Sequence, residues 1–121
     1  MPAAIVFDEF RNQMNDYRDR LVHDAIREKE MNLVPVELEK LYSQLDENKR
    51  FLADQVVCEW LQSEDSSVRW DAEFLIKKFK ICSALRGLKE LEIRLLRTFS
   101  TSAPDRYELA KVQKLLEMIE G

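Results

Sequence analysis

Residues 65–79 read DSSVRWDAEFLIKKF, and the way this stretch folds decides how the rest of the chain is read. Asp65, Ser66 and Ser67 can each accept a hydrogen bond from the orphan amides of a helix that starts there. Val68, Ala72, Leu75, Ile76 and Phe79 then fall within an arc of about 100° on a helix, which makes one apolar stripe. Trp70, Phe74 and Ile81 fall on the opposite side. A helix with two apolar stripes either lies between neighbours or leaves one stripe for a partner. The expectation is that a neighbour covers Trp70 and that Phe74, beside the lysines, is the more exposed.

Outward from this stretch the pattern stays helical. Upstream, Phe7, Phe10, Met14, Tyr17, Leu21, Val22, Ala25 and Ile26 recur at helical steps, which predicts a long helix over about 7–30. Pro35 ends that run and suits the first turn of the next helix. Val36, Leu38, Leu41, Tyr42 and Leu45, then Phe51, Leu52, Val56, Val57, Trp60 and Leu61, carry the pattern over 36–62. Asp46 can cap a second segment there, so the region either continues or breaks at that residue. Downstream, Ala84, Leu85, Leu88, Leu91, Leu95 and Leu96 mark a fifth helix, with Glu90 and Arg94 as an i,i+4 pair. A polar turn over 98–104 precedes a last helix through Leu109, Val112, Leu115, Leu116 and Ile119 to Gly121. The expected fold is all-α, five or six helices in antiparallel pairs, in one domain over 1–121.

Sliding the chain by 37 residues sets Arg69, Trp70, Ala72, Leu75 and Phe79 over Arg106, Tyr107, Leu109, Val112 and Leu116, an offset typical of helical-pair repeats. Asp65, Val68, Arg69, Ala72 and Ile76 reproduce the pattern D-x-x-V-R-x-x-A-x-x-x-[L/I], which resembles the second helix of HEAT repeats, of the armadillo type, over about residues 47–119. That resemblance implies a right-handed helical stack, with Asp65 and Arg69 in the structural turn and the ladder between repeats. Arg106 and Tyr107 stand where the family pattern has Val-Arg, and residues 1–45 carry no such motif. The alternative is a plain helical bundle.

Composition agrees with a helical chain and narrows the function. Two Gly and three Pro among 121 residues, with 35% charged and 45% hydrophobic, leave little for turns or strands. The net charge of −4 is uneven: residues 1–68 hold 15 acids and 8 bases, whereas 69–97 hold 8 bases and 4 acids. MPAAIVF lacks a basic leader, and no apolar run approaches the roughly 20 residues that span a bilayer, so a cytoplasmic setting is expected. Cys58 and Cys82 read as buried, reduced thiols. His23, near Asp19 and Asp24, is the one imidazole, too few for a zinc or di-iron ligand set and without a motif-marked nucleophile. Acids such as Asp16 and Glu73 have bases one turn on, Arg20 and Lys77, as on a solvated helix surface. No metal, no cofactor and no catalytic residue is expected.

What remains is binding. The expected role is a non-enzymatic protein-binding module, of which a small bacterial immunity or adaptor protein is one form, with another protein or a second copy as partner and no membrane. Trp70, Phe74 and Ile81 are the apolar candidates; Asp16, Asp19 and Asp24 would meet a basic partner. The alternative is a nucleic-acid-binding module using Lys77, Lys78, Lys80 and Arg86, as the HEAT resemblance to certain DNA glycosylases implies. A sequence pI of about 5.1 weighs against it.

Overall fold

A computed structural model describes residues 3–30, 32–98 and 103–120. Among the described residues there are six α-helices and no strand: α1 (Ala3–Glu28), α2 (Leu33–Ser43), α3 (Glu47–Leu61), α4 (Ser66–Phe79), α5 (Leu85–Thr98) and α6 (Ala103–Glu120). A 3-10 turn, Cys82–Ala84, leads into α5. The expected polar turn falls largely on residues 99–102, which with Gly121 lie outside the described residues. No helix among the described residues is long and apolar enough to cross a membrane.

The chain forms two compact units, one up to Val56 and one from Val57 onward. In the first, α1 and α2 pack on each other, burying Met14 and Leu21 with Val34, Leu38 and Tyr42. The region 36–62 breaks near Asp46, whose carboxylate accepts the Lys49 amide at 2.8 Å and so opens α3. Tyr42 Oη donates to Asp54 Oδ1 at 2.7 Å, tying α2 to α3. Ile26, counted on the apolar stripe of α1, is 72% exposed. Its position is about a third of a turn around from the line through Met14 and Leu21. That line includes Arg18, which is buried with them.

The second unit holds the end of α3 and α4–α6. Val57, Leu61, Ala72, Leu75, Ile76, Leu88, Leu91 and Val112 are fully buried or nearly so. α5 and α6 form its most extensive helix pair. α4 and α6 run in the same direction, since Arg69 meets Glu108 and Glu73, four residues on, meets Lys111. α3 and the segment leading into α5 do the same: Cys58 Sγ lies against the Ser83 carbonyl, and Gln62 Nε2 donates to the Gly87 carbonyl. The segments are close there: a Cβ at Gly87 would stand 3.4 Å from Leu61 Cδ1 and from Gln62 Nε2, in van der Waals contact.

The end of α4 accounts for two departures from expectation. Lys80 is left-handed, with φ 50°, and the Ile81 amide donates back to the Ile76 carbonyl at 3.3 Å. This closes the helix and swings Ile81 off the line it would share with Trp70 and Phe74 on a continuing helix. Ile81 is 3% exposed, a core residue and not part of a recognition stripe. Cys82, just beyond, is exposed where burial was expected; Cys58 is half-buried, and the two form no disulfide.

Lys29 closes α1 in the same left-handed way, with φ 55°. A side chain in that region costs roughly 1–2 kcal/mol, which glycine escapes while losing about 0.4–1 kcal/mol to its freer unfolded chain. Lys80→Gly and Lys29→Gly should therefore each leave stability unchanged or raised by up to about 1.6 kcal/mol. Urea denaturation of each variant measures this; a loss beyond about 1 kcal/mol would rule the account out.

Candidate functional site

Asp65 caps α4 by accepting the Ser67 amide at 2.9 Å, and the first turn of the helix then carries Arg69 on its inner side. The guanidinium makes a two-pronged contact with α6: Nε donates to Glu108 Oε2 at 2.9 Å and Nη2 to Glu108 Oε1 at 2.7 Å. Nη1 donates to the carbonyls of Ser63, at 2.9 Å, and Glu64, at 3.1 Å. Arg94 of α5 adds Nη2 to the Ser63 carbonyl at 2.9 Å and Nη1 to that of Gln62 at 3.2 Å. Two guanidiniums thus gather the carbonyls just past the end of α3, where the helix dipole is negative. Arg94 was expected on the surface with Glu90; Glu90 instead lies 3.5 Å from Arg86, and Arg94 turns inward.

Glu73, one turn beyond Arg69, is also turned toward α6. It is 1% exposed, as is Glu108, and Lys111 Nζ lies 3.5 Å from Glu73 Oε1. The expected surface pair with Lys77 is replaced by this buried contact. Burial, followed by the neighbouring Glu108 carboxylate, raises the Glu73 carboxyl to about 9, so it holds its proton at neutral pH. Burial acts on Glu108 in the same sense but is outweighed by the Arg69 hydrogen bonds, and Glu108 stays below its ordinary value. Arg69 and Glu108 are an ion pair, Glu73 is neutral, and the Lys111 side chain lies at the edge of the cluster. Neither Glu73 oxygen has a hydrogen-bond partner of good geometry.

Lys111 also lies over the ring of Trp70, with Nζ 5.8 Å from the centroid. Trp70 is 42% exposed, so no neighbour covers it as the sequence suggested; Phe74, one turn on, is half-buried. Tyr107, one turn before Lys111 on α6, is 70% exposed. Lys77 and Lys78 are exposed on α4, Lys80 sits in the turn that ends it, and Arg86 is exposed on α5. On α1, Asp16 and Asp19 are exposed and, with Gln13, Arg20 and His23, line an open cleft of about 550 Å³; Asp24 is paired with Arg27 at 2.9 Å. Among the described residues no three His, Cys, Asp or Glu side chains are placed to hold a metal ion.

Sequence reasoning missed Glu73, Glu108, Lys111 and Tyr107. A signal for Glu108 was present: it lies on one line with Val112 and Leu115, both buried on α6. No protein-family model, curated protein or solved structure matches the chain.

Two outcomes follow from the buried cluster. Arg69→Ala strands the Glu108 carboxylate and several carbonyls, and should lower stability by about 3–5 kcal/mol, read from chemical denaturation. Glu73 has a folded value above its unfolded one, so its contribution is complete below about pH 4.5 and is lost as pH rises through the folded value of about 9. Stability should fall across that window by at most about 1.4 kcal/mol per pH unit from this group. Glu73→Gln should flatten the decline, and an unchanged slope in pH-dependent melts would refute the assignment.

Proposed function

We propose that this chain is a non-enzymatic protein-binding module whose recognition surface is the outer face of α4 and α6. The observation that carries this reading is the contrast between the two tryptophans: Trp60 is buried in the core, whereas Trp70 stands 42% exposed with Lys111 over its ring. Tryptophan and tyrosine held in a fixed pose on a surface are the side chains that most often carry binding energy, because large apolar area is covered at low cost in entropy. Phe74 and Tyr107 extend the same face. The buried Arg69–Glu108 pair beneath it holds the two helices in register, so the anchors are presented rather than assembled on binding.

The HEAT-like reading belongs to this proposal. The shared direction of α3 with the start of α5 and of α4 with α6 is what a stack of helical pairs requires, and such stacks bind through their helical faces. A small cytoplasmic adaptor or an immunity protein is the role that fits this size and this surface.

The second reading, nucleic-acid binding, draws on Lys77, Lys78, Lys80 and Arg86. Arg86 already has Glu90 at 3.5 Å, which weakens that set.

Affinity capture with wild type and with Trp70→Ala decides between the readings. Trp70→Ala should leave the fold intact, with a loss below about 2 kcal/mol because the ring is only partly covered. It should weaken a captured protein partner by 2 kcal/mol or more, about 30-fold, once that protein is purified and titrated. Equal capture by both forms, or salt-sensitive binding to unrelated DNA or RNA in its place, would reject the proposal.

A further inference from the structure

The partner's chemistry is written in the charges around Trp70. On α4, Phe74 and Lys77 follow Trp70 at helical steps on its outer side; on α6, Lys111 and Lys114 follow Tyr107. Arg69 meets Glu108 and Glu73 meets Lys111, so the two rows run in the same direction from there, with Lys77 and Lys114 each the next outer position along its own helix. The Lys111–Trp70 contact joins them. The six positions hold three aromatic rings and three ammonium groups and no carboxylate. Of the carboxylates within a turn of them, Glu73 and Glu108 are each 1% exposed and face inward, Asp71 beside Trp70 is half-buried, and Glu117, three residues past Lys114, is exposed and lines the cleft that α6 shares with α5. Glu108 is committed to Arg69, so it cannot neutralise the lysines at the surface.

We infer that this face docks an acidic peptide segment of a partner protein, its carboxylates set against Lys77, Lys111 and Lys114 and its apolar side chains on Trp70, Phe74 and Tyr107. This rests on the protein-binding reading and adds the sign of the partner's charge. Three ammonium groups suit a segment with a few carboxylates. Affinity for a duplex grows with the number of phosphates neutralised, and three ammonium groups supply few. Mixed apolar and charged anchoring also gives specificity that charge alone lacks. The unit that carries the face, from Val57 onward, has 11 acids and 11 bases, so its overall charge does not repel an acidic segment.

The test is a nuclear magnetic resonance titration of the full 15N-labelled chain. The probes are a synthetic peptide of Glu and Asp with Leu and Phe one helical turn apart, the same peptide with Lys at every acidic position, and a short DNA duplex. The acidic peptide should shift the Trp70 indole and the Tyr107 and Lys111 amides, with the Lys peptide inert. The double variant Lys77→Glu/Lys114→Glu, at two exposed positions that the core does not use, should keep a dispersed spectrum and weaken the acidic peptide by about tenfold or more. Added salt should weaken it as well. The inference is overturned if the acidic peptide leaves these resonances in place, if the double variant binds it as well as wild type, if the Lys peptide moves the same resonances, or if the duplex binds there more tightly. Should the acidic peptide fail while a captured protein still depends on Trp70, only the charge assignment falls; should both fail, the protein-binding reading falls with it.

Discussion

The second unit depends on one guanidinium. Arg69 meets both oxygens of Glu108 on α6 and the carbonyls of Ser63 and Glu64, so one side chain fixes the exit of α3, the start of α4 and the level of α6. Burying charges this fully is costly in desolvation, and replacing such a pair with apolar groups is often neutral or stabilising. The gain here is in geometry. Apolar side chains such as Leu75 and Val112 would tolerate a slide of α4 along α6, whereas a planar fork on a carboxylate tolerates very little. Arg94 brings a second guanidinium to the Ser63 carbonyl from α5, so three helices converge on one turn.

Glu73 turns this scaffold into a surface property. Two carboxyl groups cannot both ionise in so little water, and Arg69 is committed to Glu108, so Glu73 keeps its proton. Had Glu73 been ionised, Lys111 would have a full counter-charge 3.5 Å away. With Glu73 neutral, the Lys111 ammonium lies between the buried carboxyl and the Trp70 ring, on the side open to solvent. The proton inside and the cation outside are two consequences of the same arrangement.

The helices were legible in the sequence because their apolar spacing is strong and turn formers are scarce. Asp46 and the 63–67 turn marked breaks by ordinary capping chemistry. The end of α4 was not legible: left-handed closure is signalled by glycine, and this chain places lysine there, at Lys80 as at Lys29. Extending the helix through Lys80 put Ile81 on the wrong side. The site was half legible. Trp70 and Phe74 were found as a second stripe, but whether a neighbour covers a stripe is a tertiary fact that periodicity does not contain. Glu73 and Glu108 were lost because charge was read as exposure. The informative feature is charge on an apolar line, as with Arg18 between Met14 and Leu21 and Glu108 with Val112 and Leu115.

The charge balance of the chain looks different once it is divided as the fold divides it. Up to Val56 there are 12 acids and 8 bases, and beyond it the two are equal, so the whole net charge of −4 belongs to the first unit. A low isoelectric point is therefore no guide to what the second unit meets. Long-range attraction or repulsion follows the sum, but docking is decided within about a Debye length, roughly 8 Å at physiological salt. At that range Trp70 and Tyr107 share their rows with Lys77, Lys111 and Lys114, while Glu73 and Glu108 beneath them are buried. The two rows that carry the rings are basic in a protein that is acidic as a whole.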